Sequence, residues 1–275
     1  VSPWLRDELR IAVCPEWVAL LRIERRLTRR GLSRHLRDKD IRPGGDDGAD
    51  APLWSGALKT LEQALAAPGE RKPMAAVTLS NHFVRYALVP WSELVNDEEE
   101  EIALARHCFR EVYGEAADQW ELRLSADDSG APRLASAVDV ALLESLRGVF
   151  DQAGVALKSV QPHLMAVYNA CRPQLGKRTG WLALVETGTL TLALLKEGRV
   201  VRLRTLRLGG DWREELATAL ERESYLAETD SRNVYLWAPG AFHEHGSWRV
   251  QSLQTAARPG FTVSYDGQFS MAMGG

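Results

Sequence analysis

Cysteine is scarce in this chain: three residues in 275, namely Cys14, Cys108 and Cys171. They are odd in number, far apart and form no Cys-x-x-Cys pair. Neither a disulfide framework nor a zinc site is indicated, and a reducing cytoplasm fits best. Long apolar runs are missing too. None approaches the roughly 20 residues that span a bilayer, and no signal-peptide pattern precedes Trp4. The chain opens at Val1 without methionine and closes at Met273-Gly274-Gly275. Those ends read as trimmed and leave room for a membrane anchor beyond Gly275. Positive charge is not in excess, since 34 Lys and Arg face 37 Asp and Glu for a formal net charge of -3. That removes the electrostatic case for nucleic acid. A hydrolase elbow is absent as well, because Ser80-Asn81-His82 lacks the flanking glycines of Gly-x-Ser-x-Gly.

What is present is the composition of an ordinary globular protein, 45% apolar and 26% charged, long enough for two lobes or one large α/β unit. Basic residues cluster locally at Arg22, Arg25, Arg26, Arg29, Arg30, Arg34 and Arg37. Such a run either lies against anionic lipid headgroups or is a solvated edge and loop, the commoner use of charge runs. His243-Glu244-His245 brings two imidazoles close, but alternate loop residues without a third ligand rarely hold a metal, and a surface loop is the favoured reading. His82 and His107 lie beside apolar residues and read as satisfied structural histidines. Trp212, Tyr225, Tyr235 and Trp237 read mostly as core, with one or two able to anchor a partner peptide.

Leu9–Val13 and Val18–Ile23 read as two strands of a hairpin around Cys14-Pro15-Glu16. The stretch from Arg37 to Pro52, acidic and rich in Gly and Pro, reads as a mobile loop. Leu53, Leu58, Leu61 and Leu65 recur at helical spacing, and Met74–Leu79 and Phe83–Val89 read as strands. A helix follows from Ile102 to about Tyr113, its positive end favoured by the acidic run Asp97–Glu101. Strands at Trp120–Leu124 and Arg133–Val138 flank a turn at Asp127-Asp128-Ser129-Gly130. A helix at Val140–Ala153 closes at Gly154, a strand occupies Val155–Val160, and Pro162 opens a helix. After Gly176–Gly180 come strands at Trp181–Val185, Thr189–Leu195 and Val200–Leu206, Gly209-Gly210, a helix at Trp212–Ala227 and a strand at Val234–Leu236. This β-β-β-α-β order predicts a mixed sheet faced by helices.

The run LALVETGTLTLALLKEGRVVRLRTLRLGG (Leu182–Gly210) resembles the second phosphate-binding hairpin of actin-like ATPases. There an acidic residue and glycines lead a strand pair, and a third strand ends in Gly-Gly before a helix. Tyr235-Leu236-Trp237-Ala238-Pro239-Gly240-Ala241 stands where that superfamily carries its adenosine motif, and Ile11–Ile23 where its first phosphate motif would be. VTLSNHFVRYALVPW (Val77–Trp91) and ASAVDVALLESLRGVFDQAGVALKSVQP (Ala135–Pro162) resemble the pilus and secretion branch, which includes PilM, the MshI-type proteins and the cytoplasmic domain of GspL.

The resemblance implies an α/β, actin-like (ribonuclease H-like) fold of two lobes. Residues 1–175 would form the first, with a small α/β subdomain inserted at about 96–138, and residues 176–275 the second. It further implies a scaffold of a type IV pilus or type II secretion platform at the cytoplasmic face of the inner membrane. Its partner would be a short cytoplasmic segment of a membrane-anchored assembly protein.

Phosphate binding needs close backbone approach and a carboxylate for the metal. Val13-Cys14-Pro15-Glu16-Trp17 offers no strand-end Asp, loses a donor at Pro15 and sets bulky Trp17 where a phosphate would approach. Glu16 serves only if the hairpin shifts. The other half keeps more: Glu186, Thr187, Gly188, Thr189, Gly209, Gly210 and Gly240 are the residues of a vestigial nucleotide site. Turn chemistry alone also explains Glu186-Thr187-Gly188, and Trp237 and Pro239 crowd the adenosine position. The expectation is therefore no catalytic residue, no metal ligand and no cofactor, ATP with magnesium included. Two alternatives stay open. A working ATP-binding or sugar-kinase-like enzyme of the superfamily would show magnesium-dependent ATP affinity. An unrelated α/β domain would lack two similar lobes.

Overall fold

The computed structural model describes residues 7–28, 31–45, 48, 50–66, 73–95, 97–125, 130–238, 246–253 and 269–273. In chain order they form β1 (Glu8–Val13), β2 (Trp17–Thr28), β3 (Gly31–Pro43), α1 (Ser55–Leu65), β4 (Met74–Leu79) and β5 (Val84–Val89). Then come α2 (Glu98–Tyr113), β6 (Trp120–Leu124), β7 (Arg133–Asp139), α3 (Val140–Ala153), β8 (Ala156–Pro162) and α4 (His163–Leu175). The remainder comprises β9 (Gly180–Glu186), β10 (Thr189–Lys196), β11 (Arg199–Arg207), α5 (Trp212–Leu226), β12 (Asn233–Trp237), β13 (Arg249–Ser252) and α6 (Phe269–Met273). Contacts along the chain define two compact units. One holds Val1–Phe83, Ala141–Ala170 and Thr255–Gly275, the other Val84–Val140 and Cys171–Gln254.

Each unit is built on a five-stranded mixed sheet, ordered β3-β2-β1-β4-β8 in the first and β11-β10-β9-β12-β13 in the second. In both, three antiparallel strands are followed by two parallel ones. The strand at the centre of each, β1 and β9, is buried along its length, as strands covered on both sides are, although β1 carries Glu8 and Arg10 among its apolar residues. Trp181, Leu190, Leu192, Leu216, Leu220, Val234 and Leu236 make one core of the second unit. Leu142, Leu146 and Phe150 turn the inner face of α3 into core, and α3 ends at Gly154, whose φ is +63°.

A three-stranded antiparallel sheet, β5-β7-β6, carries α2 against it through Ala105, Phe109, Leu122 and Ala137. Helix α2 begins at Asp97, whose side chain accepts from the Glu100 amide at 2.9 Å, with four glutamates in its first turn. Both features favour the positive helix end.

Several boundaries differ from the sequence expectation. Arg37–Pro43 is not loop but the second half of β3; of the arginine-rich run, Arg22, Arg25 and Arg26 lie on β2 and Arg34 and Arg37 on the edge strand β3, while Arg29 and Arg30 lie outside the described residues. Pairing with β2 along the whole of β3 outweighs a composition with little to bury, and an edge strand tolerates charge. Leu53 lies ahead of α1 and is exposed. The small sheet starts at Val84, since β5 pairs with β7, earlier than the expected 96, and its contacts group it with the second unit. Helix α6 packs on β1, β2 and β4, so the described C-terminal residues cover the first sheet although 176–275 were expected in the second lobe. Asp127, Asp128 and Ser129 of the expected turn lie outside the described residues.

Candidate functional site

The residues expected to cradle phosphate in the second unit come together around one turn. Glu186 and Thr189 form the last pair of the β9–β10 hairpin, which leaves Thr187-Gly188 as a two-residue turn with Gly188 at φ +71°. Only glycine takes that conformation without strain. The Leu208 amide donates to the Gly188 carbonyl at 2.9 Å, so the segment leaving β11 is hooked onto the turn and brings Gly209 and Gly210 beside it. Gly240 lies outside the described residues.

The two glycine amides are already occupied. Gly209 and Gly210 both donate to Oε1 of Glu215, at 3.0 and 2.5 Å. Asp211 caps α5 by accepting from the Arg213 amide at 3.0 Å. The donors that a phosphate would take at a helix start thus hold a carboxylate from the helix itself. Beside them runs a groove of about 360 Å³ between α5 and the β10–β11 pair, lined by Leu190, Leu206, Leu208, Thr218, Arg207 and Arg222 among others.

The corresponding turn of the first unit is closed by different means. Val13 pairs with Val18 and the Cys14 amide donates to the Trp17 carbonyl at 2.9 Å, leaving Pro15-Glu16 as the turn. Cys14 therefore stands at the strand-end position that Glu186 holds in the second unit, and Glu16 stands where Gly188 does. The hairpin does not shift to bring Glu16 to the strand end. Gly44 donates to the Glu16 carbonyl at 2.7 Å, the same hook that Leu208 makes on Gly188. Gly44 presses so close that an added Cβ would collide with the Pro15 carbonyl oxygen. Cys14 itself is buried, its thiol 3.5 Å from Met271 Sδ of α6.

Ser80, Asn81 and His82 follow β4 in a 3₁₀ turn. Ser80 Oγ is 2.8 Å from His82 Nδ1, and Asn81 Oδ1 accepts from the Leu164 amide at 3.2 Å. This trio ties the start of α4 to the end of β4 and is structural. His107, by contrast, is not a packed histidine: it is exposed on α2 and 3.4 Å from Glu111. His243-Glu244-His245 lies outside the described residues, among which no cluster of metal ligands occurs. Burial pushes the Cys171 thiol up, the opposite of what an attacking thiolate needs. Tyr235 and Trp237 are buried, whereas Tyr225 is 84% exposed.

No family profile and no curated protein matches the chain in sequence. Solved structures do match. The PilM–PilN type IV pilus biogenesis complex superposes with a TM-score of 0.67 at 15% identity, over 98% of this chain and 97% of that one. A Bacteroides thetaiotaomicron protein with an actin-like ATPase fold gives 0.55 at 8% identity, over 88% and 84%. The cytoplasmic domain of EpsL, an inner-membrane component of the type II secretion system of Vibrio cholerae, gives 0.53 at 11% identity over 90% of each chain. The chain has an actin-like fold. Within that fold the two hairpin turns just described are the positions the sequence resemblance assigned to phosphate, one hooked by Gly44 and the other by Leu208. No described helix is long and apolar enough to cross a membrane.

Proposed function

We propose that this actin-like chain is a non-catalytic scaffold of a type IV pilus or type II secretion platform at the inner-membrane face. Its partner is a short cytoplasmic segment of a membrane-anchored assembly protein. The observation that carries the non-catalytic part is the state of the two turns. One has Pro15 and Cys14 where a donor and an acid are needed, packed by Gly44. The other has its Gly209 and Gly210 amides filled by Glu215. A polyphosphate would have to displace a carboxylate in one unit and find no acid at the strand end in the other, so it loses the charge-assisted contacts that make such sites tight. The partner class is supported by likeness over nearly the whole chain to a protein solved together with PilN. A peptide of this kind binds well as an added strand with side-chain pockets.

Co-expression with the cytoplasmic tails of membrane proteins encoded beside it, followed by size-exclusion chromatography, tests the partner. One tail is expected to co-elute, and the scaffold reading fails if none does. Calorimetry with ATP and magnesium is expected to show no binding in the micromolar range. Turnover abolished by Glu186→Ala would establish the enzyme reading instead.

A further inference from the structure

We infer that the groove between α5 and the β10–β11 pair receives a short peptide segment in which an apolar anchor is flanked by carboxylates. This deepens the scaffold reading, on which it rests for the occupant being a partner's polypeptide.

The two units treat the same place differently. In the first, α1 is pressed against the chain that leaves β3. Gly45 and Gly56 meet backbone to backbone, so an added Cβ at Gly56 would collide with the Gly45 carbonyl oxygen. Thr60 Oγ1 of α1 also donates to the Pro43 carbonyl at 3.0 Å. In the second unit the space beside the helix that follows the third strand stays open. It amounts to about 360 Å³, and its apolar lining is Leu190, Leu206, Leu208 and Ala219. Leu206 and Leu208 are only partly buried. Thr218 is exposed on the wall, and its hydroxyl bonds no described residue. Such a volume lies at the small end of ligand pockets and suits a few side chains.

The charge beside this groove is unbalanced. Arg222, which lines it, donates to Glu223 Oε1 at 3.2 Å. Arg202 donates to Glu223 Oε2 from Nε and Nη2 at 3.3 and 3.2 Å, and Arg204 stands 4.0 Å from the same oxygen. Three guanidinium charges thus converge on one carboxylate, and none of them bonds another described acid, so two are uncompensated. The Glu223 side chain is 3% exposed and is already satisfied by Arg202 and Arg222, whereas those of Arg204 and Arg222 are 59% and 57% exposed. Blunting an edge strand accounts for cations on β11. It does not account for Arg222 on α5.

Spaced carboxylates suit this arrangement better than a run of phosphates. Glu214 and Glu215 line the same groove, and a ligand charged along its whole length would meet them as well as the arginines. In a peptide the apolar anchor reaches the leucines while the adjacent acids meet the long side chains of Arg204 and Arg222. The peptide main chain offers donors and acceptors to the Thr218 hydroxyl.

Fluorescence anisotropy tests this with the purified protein and a short fluorescein-labelled peptide of alternating leucine and aspartate. A peptide with lysine in place of aspartate is the comparison. Saturable binding is expected for the aspartate peptide alone. The double variant Arg204→Gln, Arg222→Gln is expected to weaken it roughly tenfold, the loss of two exposed charge pairs. Thr218→Trp fills the groove from an exposed position and should weaken binding to a similar degree with no change in charge. The control, Arg172→Gln with Arg249→Gln, removes two exposed arginines elsewhere in the second unit and should bind like the parent. Melting temperatures check that the variants are folded. Four results overturn the proposal: no binding of the aspartate peptide, equal binding of the lysine peptide, parent-like binding by either groove variant, or an equal loss in the control. Tighter binding of inorganic polyphosphate, with the same sensitivity to both variants, overturns it too. Co-expression separates this proposal from the scaffold reading. A tail that co-elutes equally with the parent and both groove variants leaves the scaffold standing and removes the groove. If no tail co-elutes, the scaffold reading fails and the peptide titration still decides the groove.

Discussion

The two five-stranded sheets share an order, a set of strand directions and even the backbone hook between the third strand and the hairpin turn, yet they are filled differently. The first places charge in its centre. Glu8 and Arg10 on β1 are both buried, 2.6 Å apart, and Arg10 also donates to the Met273 carbonyl at 3.0 Å, which fastens α6 to the sheet. The corresponding strand β9 is apolar, and the second unit keeps its buried acid, Glu223, on a helix, within reach of Arg202 and Arg222. Topology is set by strand pairing and by which faces are buried, so it survives such exchanges. Turn chemistry and charge placement are what the two copies are free to change.

The largest expected effect sharpens that contrast. Glu8→Ala would strand Arg10 and Arg25, whose side chains are 8% and 12% exposed, and is expected to cost about 3–5 kcal/mol. Glu223→Ala leaves arginines that are 27% and 57% exposed and can turn to water, so about 1–2 kcal/mol is expected. Urea unfolding of the two variants compares them directly, and equal losses would break the distinction. Acid offers a second handle. Burial opposes ionisation of Glu8, but the hydrogen bond from Arg25 and the charge of Arg10 outweigh it and lower its carboxyl from 4.5 to about 2. A folded value below the unfolded one means the stabilisation is complete above 4.5 and is lost as pH falls toward 2. The stability gap between the parent and Glu8→Gln should therefore narrow between pH 5 and pH 3, and a gap that widens there would contradict this assignment.

Next in size is the pair of glycines that follow the third strands. Gly44→Ala drives a methyl into the Pro15 carbonyl, a backbone atom that cannot swing aside, whereas a Cβ at Gly209 meets nothing within 4 Å. The first is expected to cost about 1–3 kcal/mol and the second less than about 0.5 kcal/mol, read from melting temperatures. Similar shifts would mean that the two turns are packed alike after all.

Much of this was legible in the sequence because local pattern and global fold agree. The β9–β10–β11 meander, α3 with its Gly154 stop and α5 follow from alternation, turn residues and caps. The misses have particular causes. Residues Arg37–Pro43 look like loop by composition, and only their pairing with β2 makes them strand. Pro43-Gly44-Gly45 sets two glycines after a third strand as Leu208-Gly209-Gly210 does, but α1 begins only at Ser55 whereas α5 begins at Trp212. Tyr225 points outward because Leu216, Ala219, Leu220 and Glu223 set the buried face of α5, a face that aromatic content alone does not reveal. His107 faces outward for the same reason, since Ala105 and Phe109 take the inward face of α2.

A smaller effect than that of Gly44 concerns Glu215, and it tests the reading of the second turn most directly. Glu215 Oε1 accepts from two successive amides that otherwise face solvent, so water replaces it at little cost. Glu215→Ala is expected to lose about 0.5–1 kcal/mol, and Glu215→Gln less, because an amide oxygen still accepts. Hydrogen exchange separates this from a general loosening of the helix. In Glu215→Ala the amides of Gly209 and Gly210 should exchange faster, while Arg213, whose amide is held by Asp211, should keep its protection. Unchanged protection at both glycines would mean that the carboxylate does not hold them. The turn would then present two open donors, and the contrast with the Gly44-packed turn of the first unit would rest on Pro15 and Cys14 alone.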